Sequence, residues 1–125
     1  MYASSAHNIY AQNDVGIESP AKLTEMLYEG VLRFNAQARK AIKDGNIEKK
    51  FYWAGRSTAI ITELISVLDE EKGGEVAIYL NGLYNYQIQS ISNAMIHDDI
   101  AKIDEVSNVF KTLLEAWRET THVAN

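Results

Sequence analysis

The sequence contains no cysteine and only one proline, Pro20. Without thiols there is neither a disulfide framework nor the usual thiolate zinc site, which suits a reducing cytoplasm. No apolar run approaches the ~20 residues that a membrane-spanning helix requires. The opening stretch MYASSAHNIYAQ lacks the basic start and apolar centre of a secretory signal. Basic residues are neither dominant nor clustered. Twelve Lys and Arg stand against seventeen Asp and Glu, a net charge of −5. Neutralising a phosphate backbone needs clustered positive charge, so nucleic acid is not an expected partner.

Catalytic patterns are also scarce. Gly73-Gly74 lacks the flanking glycine and lysine of a phosphate-binding loop. A di-metal carboxylate site in a helical bundle needs two Glu-x-x-His pairs and two further inward-facing glutamates. Glu119 and His122 form one such pair, whereas His7 and His97 have no glutamate three residues before them. No nucleophile motif points to a hydrolase. An enzyme is the weakest class, and no cofactor or metal is expected.

What the sequence does contain is helical periodicity with local stop and start signals. Ser19 reads as an N-cap followed by Pro20 at the first helical position. Behind it Leu23, Met26, Leu27, Val31, Phe34, Ala38, Ala41 and Ile42 follow three-and-four spacing. Lys43-Asp44-Gly45-Asn46 supplies a basic last turn, a glycine for the left-handed position and a new N-cap. A second run goes from Ile47 to about Glu71, ended by Lys72-Gly73-Gly74, and a third goes from Glu75 to about His97. Asp98 and Asp99 open a fourth, whose stripe is Ile100, Ile103, Val106, Phe110, Leu113 and Trp117. Short connections make neighbours antiparallel. The expected fold is all-α, an up-down-up-down four-helix bundle over residues 19–120. An N-terminal arm or short extra helix (1–18) precedes it and a frayed tail (121–125) follows. Asp69-Glu70-Glu71 would sit at a helix C-terminus, where the dipole disfavours acids, unless Asp69 accepts N–H groups from the third helix.

The second and third runs carry more apolar surface than one bundle seam needs. On a wheel of about 100° per residue, Ile47, Phe51, Ala54, Thr58, Ile61, Ile65 and Leu68 form one stripe. Trp53, Ser57, Ile60, Leu64 and Val67 form another beside it. Together they cover roughly 200°, against the ~100° or somewhat more of a core-facing helix. On the third run Val76, Leu80, Leu83, Tyr84, Ile88, Ile91 and Met95 make a core stripe, with Ile78, Tyr79, Gly82 and Tyr86 largely outside it. A hairpin turning at Gly73-Gly74 would set Val67 beside Tyr79, Leu64 beside Gly82 and Ile60 beside Tyr86. That makes a shared groove of Trp53, Ile60, Leu64, Val67, Ile78, Tyr79, Gly82 and Tyr86, with Gly82 as its low floor. A contiguous exposed apolar patch on a monomer calls for an occupant. The candidates are a partner, a second copy of the chain, or the arm through Tyr2, Ile9 and Tyr10.

At these residues the chain resembles the flagellar secretion chaperone FliS family. The likeness rests on SPAKLTEMLYEG (Ser19 to Gly30) and ELISVLDEEKGGEVAIYLNGLYNY (Glu63 to Tyr86), and continues to the acid-started last helix ending near Trp117. The stretch from Phe51 to Ser57 fits less distinctively. The resemblance implies a cytoplasmic, non-enzymatic export chaperone that uses no ATP. Its client would be the C-terminal segment of flagellin, disordered when free. Binding would prevent premature polymerisation and keep the client competent for flagellar type III export. The implied partners are flagellin and a co-chaperone or component of the export apparatus, with the chaperone itself a monomer that does not insert into membranes. A disordered client recovers its ordering entropy by burying apolar surface along an extended path, in a helix-in-groove mode. The competing expectation is a homo-oligomeric bundle whose surplus apolar face is its self-association interface.

Overall fold

The computed structural model describes residues 19–121. Within them lie four helices: α1 (Pro20–Lys43), α2 (Ile47–Ser66), α3 (Glu70–Ile96) and α4 (Ile100–Thr121). No strand occurs among the described residues. Each helix packs on its neighbours in sequence and α4 closes back on α1, giving an all-α four-helix bundle. The interface of α1 with α2 is the most extensive, and α3 packs more sparsely on both its neighbours.

Local chemistry accounts for most of the helix ends. Ser19 Oγ accepts from the Lys22 N–H at 3.2 Å, and Pro20 occupies the first turn, where its missing donor costs nothing. Gly45 takes the left-handed conformation at φ 67°, and Asn46 Oδ1 accepts from the Lys49 N–H at 3.0 Å. Asp99 Oδ1 accepts from the Lys102 N–H at 3.0 Å at the start of α4.

The expected turn between the second and third helices is displaced. Helix α2 stops at Ser66, not near Glu71, and α3 begins at Glu70, before the glycine pair. The reason is Asp69, whose Oδ1 accepts from the N–H groups of Glu71 and Lys72, both at 3.1 Å. One side chain thus satisfies two orphan donors of a new helix. Glu70 and Glu71 consequently lie in a first turn, where the helix dipole favours acids. Gly73 and Gly74 fall inside α3, where Gly74, at φ 55° and ψ −130°, kinks the helix.

The core centres on Leu27, Val31, Ile61, Leu64, Tyr84, Ile91, Met95, Ile103, Val106 and Phe110, each at most 2 % exposed. It departs from the expected stripes at several positions. Ile47, Phe51 and Val76, expected inside, are 68 %, 49 % and 66 % exposed. Ser57 and Leu64, placed on the surplus stripe, are buried at 0 % and 1 %. The centre of α2 therefore runs along Lys50, Ala54, Ser57, Ile61 and Leu64, between the two expected stripes. Its apolar arc is wide because α2 touches two helices at once. On one margin Trp53 stacks on Phe34 of α1 (centroids 5.5 Å apart) and Ile60 packs over Gly30, where an added Cβ would lie 2.7 Å from Ile60 Cδ1. On the other margin Phe51, Ala54 and Thr58 face Ile88, Ile91 and Met95 of α3.

The interior also holds polar groups that periodicity did not mark. Buried Asn35 accepts from Ser57 Oγ at 2.6 Å and donates to Ser107 Oγ at 3.3 Å, tying α1 to α2 and α4. Buried Glu25 accepts from Arg118 at 2.8 Å, and Lys50 reaches Asp98 at 2.6 Å. Tyr28 and Tyr84 share a hydrogen bond of 2.6 Å between their hydroxyls in the core.

Candidate functional site

Helix α3 buries Ala77, Tyr84, Gln87, Ser90, Ile91, Ala94 and Met95. Three-and-four spacing puts Ile78, Tyr79, Gly82 and Tyr86 on the opposite side, and the three side chains are 60 %, 66 % and 62 % exposed. Gly82 lies between Tyr79 one turn before it and Tyr86 one turn after. A Cβ built at Gly82 would meet nothing within 4 Å. A mid-helix glycine costs ~1 kcal/mol relative to alanine, and no contact among the described residues requires it. The outer face of α3 is thus a strip of two tyrosines and an isoleucine with a depression at its centre.

Two hollows adjoin α3, where the bundle is packed most sparsely. One, of about 320 Å³, opens where α1 and α3 begin and α2 and α4 end. Leu64, Val67, Leu68, Ala77, Leu80 and Trp117 give it apolar walls, and Tyr28 and Tyr84 also line it. Val76 stands at its lip, one turn before Tyr79, so the hollow runs into the outer strip. The second, of about 260 Å³, lies between α2 and α3, lined by Phe51, Thr58, Ile88 and Met95 among others. Residues that an antiparallel register sets level, Phe51 with Met95 and Thr58 with Ile88, line it together.

The eight expected groove residues are therefore split among three places. Ile78, Tyr79, Gly82 and Tyr86 share the outer strip of α3. Leu64 and Val67 line the end hollow, Leu64 as a core side chain. Trp53 and Ile60 turn to α1 and do not join the strip. Tyr2, Ile9 and Tyr10 lie outside the described residues, as does His122 of the Glu119 pair. The hollows were invisible to periodicity because Leu68, Val76 and Thr58 read as ordinary core positions. Only a missing neighbour exposes them.

At the end hollow the buried phenols are uncharged, while Asp69 and Lys72 stand in its lining. Burial pushes the Tyr28 and Tyr84 phenols above the ordinary tyrosine value, so both stay protonated throughout the physiological range. Among the described residues no three His, Cys, Asp or Glu side chains are grouped to hold a metal ion. No described helix is long and apolar enough to cross a membrane. The site offers shape and apolar area.

The comparison with known proteins decides what kind of binding protein this is. The family model for Flagellar protein FliS matches residues 2–124. The chain belongs to the FliS family. It is 56 % identical over 119 residues to the flagellar secretion chaperone FliS of Campylobacter jejuni, covering 95 % of this chain and 93 % of that one. The Salmonella typhimurium flagellar secretion chaperone FliS is 33 % identical, over 100 % of this chain and 96 % of its own. The Pseudomonas aeruginosa flagellar secretion chaperone FliSB is also 33 % identical, over 98 % and 100 %. As a member of a flagellar secretion chaperone family, the chain falls into a class whose work is to hold another protein.

Proposed function

We propose that this protein is a cytoplasmic flagellin export chaperone, monomeric when free, that holds the disordered C-terminal segment of flagellin along the outer strip of α3. Held there, the segment cannot polymerise prematurely and stays unfolded enough for type III export. The observation that carries the reading is the exposed strip of Ile78, Tyr79 and Tyr86 around Gly82. Exposed apolar side chains cluster there without any partner among the described residues, on a helix whose glycine leaves room for one.

Magnitudes set how far the client extends. Burying the exposed parts of Val76, Ile78, Tyr79 and Tyr86 is worth roughly 1–2 kcal/mol each, about 5 kcal/mol together. Association costs an estimated 4–15 kcal/mol, and ordering a disordered segment costs several more. The strip alone is too small. The client therefore also fills the end hollow beside Val67, Leu68 and Leu80, or runs on to the hollow at Phe51 and Ile88. An amphipathic segment with anchors spaced by helical turns fits such a path.

The test is a titration of a flagellin C-terminal peptide against wild type, Tyr79→Ala, Tyr86→Ala and Gly82→Arg. Weaker binding by all three, with thermal melts unchanged or raised, supports the reading. Unaltered affinity in all three sends the client elsewhere on the bundle.

A further inference from the structure

We propose that the outer seam of α1 and α2, built from Arg33, Phe34, Tyr52, Trp53 and Arg56, is a second docking surface, for an acidic segment of a partner protein. It lies on other helices than the strip of α3 and does not depend on what that strip binds.

Charge is divided unevenly over the bundle. Residues 20–66, the α1–α2 hairpin, hold eight Lys and Arg against five Asp and Glu. Residues 67–121 hold four against ten. The excess on the first hairpin is not spent on internal ion pairs at this seam. Arg39 pairs with Asp104, Lys40 with Asp44 and Lys50 with Asp98, but Arg33 and Arg56 have no carboxylate within ion-pair distance among the described residues. Both are exposed.

One ring organises the two cations. The guanidinium carbons of Arg33 and Arg56 lie 5.2 Å and 4.9 Å from the centroid of Phe34. Phe34 stacks on Trp53, and Tyr52 meets Trp53 edge-on at 4.9 Å. Contact with a ring face holds a guanidinium plane but leaves its N–H edges in water. Of five donors on each, Arg56 spends one on the Tyr52 hydroxyl at 2.9 Å, and the Arg33 guanidinium makes no hydrogen bond within the described residues. Two like charges held beside one ring repel each other until an anion lies between them, and a carboxylate matches the guanidinium fork. Tryptophan, tyrosine and arginine are also the residues on which binding energy concentrates at protein interfaces.

The occupant is a protein segment bearing carboxylates. A nucleic acid would meet a molecule with a net charge of −5 and only two adjacent free arginines. A second copy could offer its acidic α3–α4 side, but that contact is head-to-tail and would propagate into an open chain.

The experiment uses the full chain and a dye-labelled peptide of alternating Glu and Gly, followed by fluorescence anisotropy at low salt. Arg33→Gln/Arg56→Gln should weaken binding by roughly tenfold or more, because two charge-assisted contacts are lost. The charge-matched control Lys43→Gln/Lys111→Gln, at exposed positions away from the ring cluster, should change it by less than about twofold. Capture of flagellin by the arginine variant should be unaltered. The assignment is overturned by absence of saturable binding, by equal affinity of wild type and the arginine variant, or by equal losses in both variants. Oligothymidylate binding as tightly as the peptide would instead make the seam a general anion site. A self-association seen by light scattering and abolished in the arginine variant would make the occupant a second copy. Either result also overturns it.

Discussion

Removing one hydroxyl from the Tyr28–Tyr84 pair should cost more than removing both. The two oxygens are 2.6 Å apart, and the side chains are 3 % and 2 % exposed. Their rings pack on Phe110, at 6.0 Å and 6.2 Å between centroids. Tyr28→Phe or Tyr84→Phe leaves the apolar packing in place but strands one hydroxyl without its partner, a loss of about 1–3 kcal/mol. A water entering the adjoining 320 Å³ hollow would move the loss toward the lower figure. The double variant strands nothing and should lie within about 1 kcal/mol of wild type, so the single losses do not add and the coupling energy is at least about 1 kcal/mol. For a chain of this length 1 kcal/mol moves the Tm by roughly 4 °C. Urea titration of the four proteins by circular dichroism measures the cycle. Additive losses in the double variant would refute the claim that the hydroxyls satisfy each other.

The same pair predicts an alkaline limb. Both folded-state pKa values are raised, chiefly by burial, so the fold favours the protonated phenols. Their contribution is intact below about pH 10, the unfolded tyrosine value, and is lost as pH climbs from there through the raised folded values. Melts between pH 9 and pH 12 should fall less steeply for the double phenylalanine variant than for wild type. The glycines of α3 should respond in opposite ways. Gly82→Ala, facing open space, should stabilise by about 1 kcal/mol yet weaken the client, whereas Gly74→Ala, at φ 55°, should destabilise by about 1–3 kcal/mol. Thermal melts paired with peptide titrations would show both effects, and identical shifts would contradict the assigned conformations. Leu64→Asp and Ile61→Asp should both unfold the domain, since each would bury a charge at a site 1 % or less exposed. A folded Leu64→Asp protein by circular dichroism would return that position to the client surface.

Much of this protein is written in short-range chemistry, and that part was legible. Ser19 with Pro20, Gly45 with Asn46, and Asp99 act on backbone groups within a few residues of themselves. The all-α class, the number of helices and most of their ends follow from such signals. So does the outward strip of α3, because Ile78, Tyr79, Gly82 and Tyr86 stand opposite a clear buried stripe. The turn after α2 shows where local signals compete. A glycine pair permits a stop, but Asp69 satisfies two donors and enforces a start at Glu70, five residues before the expected Glu75.

Tertiary structure decided which way each wide apolar arc is divided. A helical wheel measures the width of an arc but holds no information on how many neighbours share it. In the bundle α2 lies between α1 and α3, so Trp53 and Ile60 went to one and Phe51 and Thr58 to the other, leaving Ser57 and Leu64 at the centre. Hollows, too, are absences of atoms between helices far apart in the chain, as are pairings such as Tyr28 with Tyr84. Short-range signals set where α1, α2 and α4 begin, and periodicity marked apolar residues to spare on two of the helices. Only the packing of four helices decided where that surplus stays open, because burial depends on every neighbour at once.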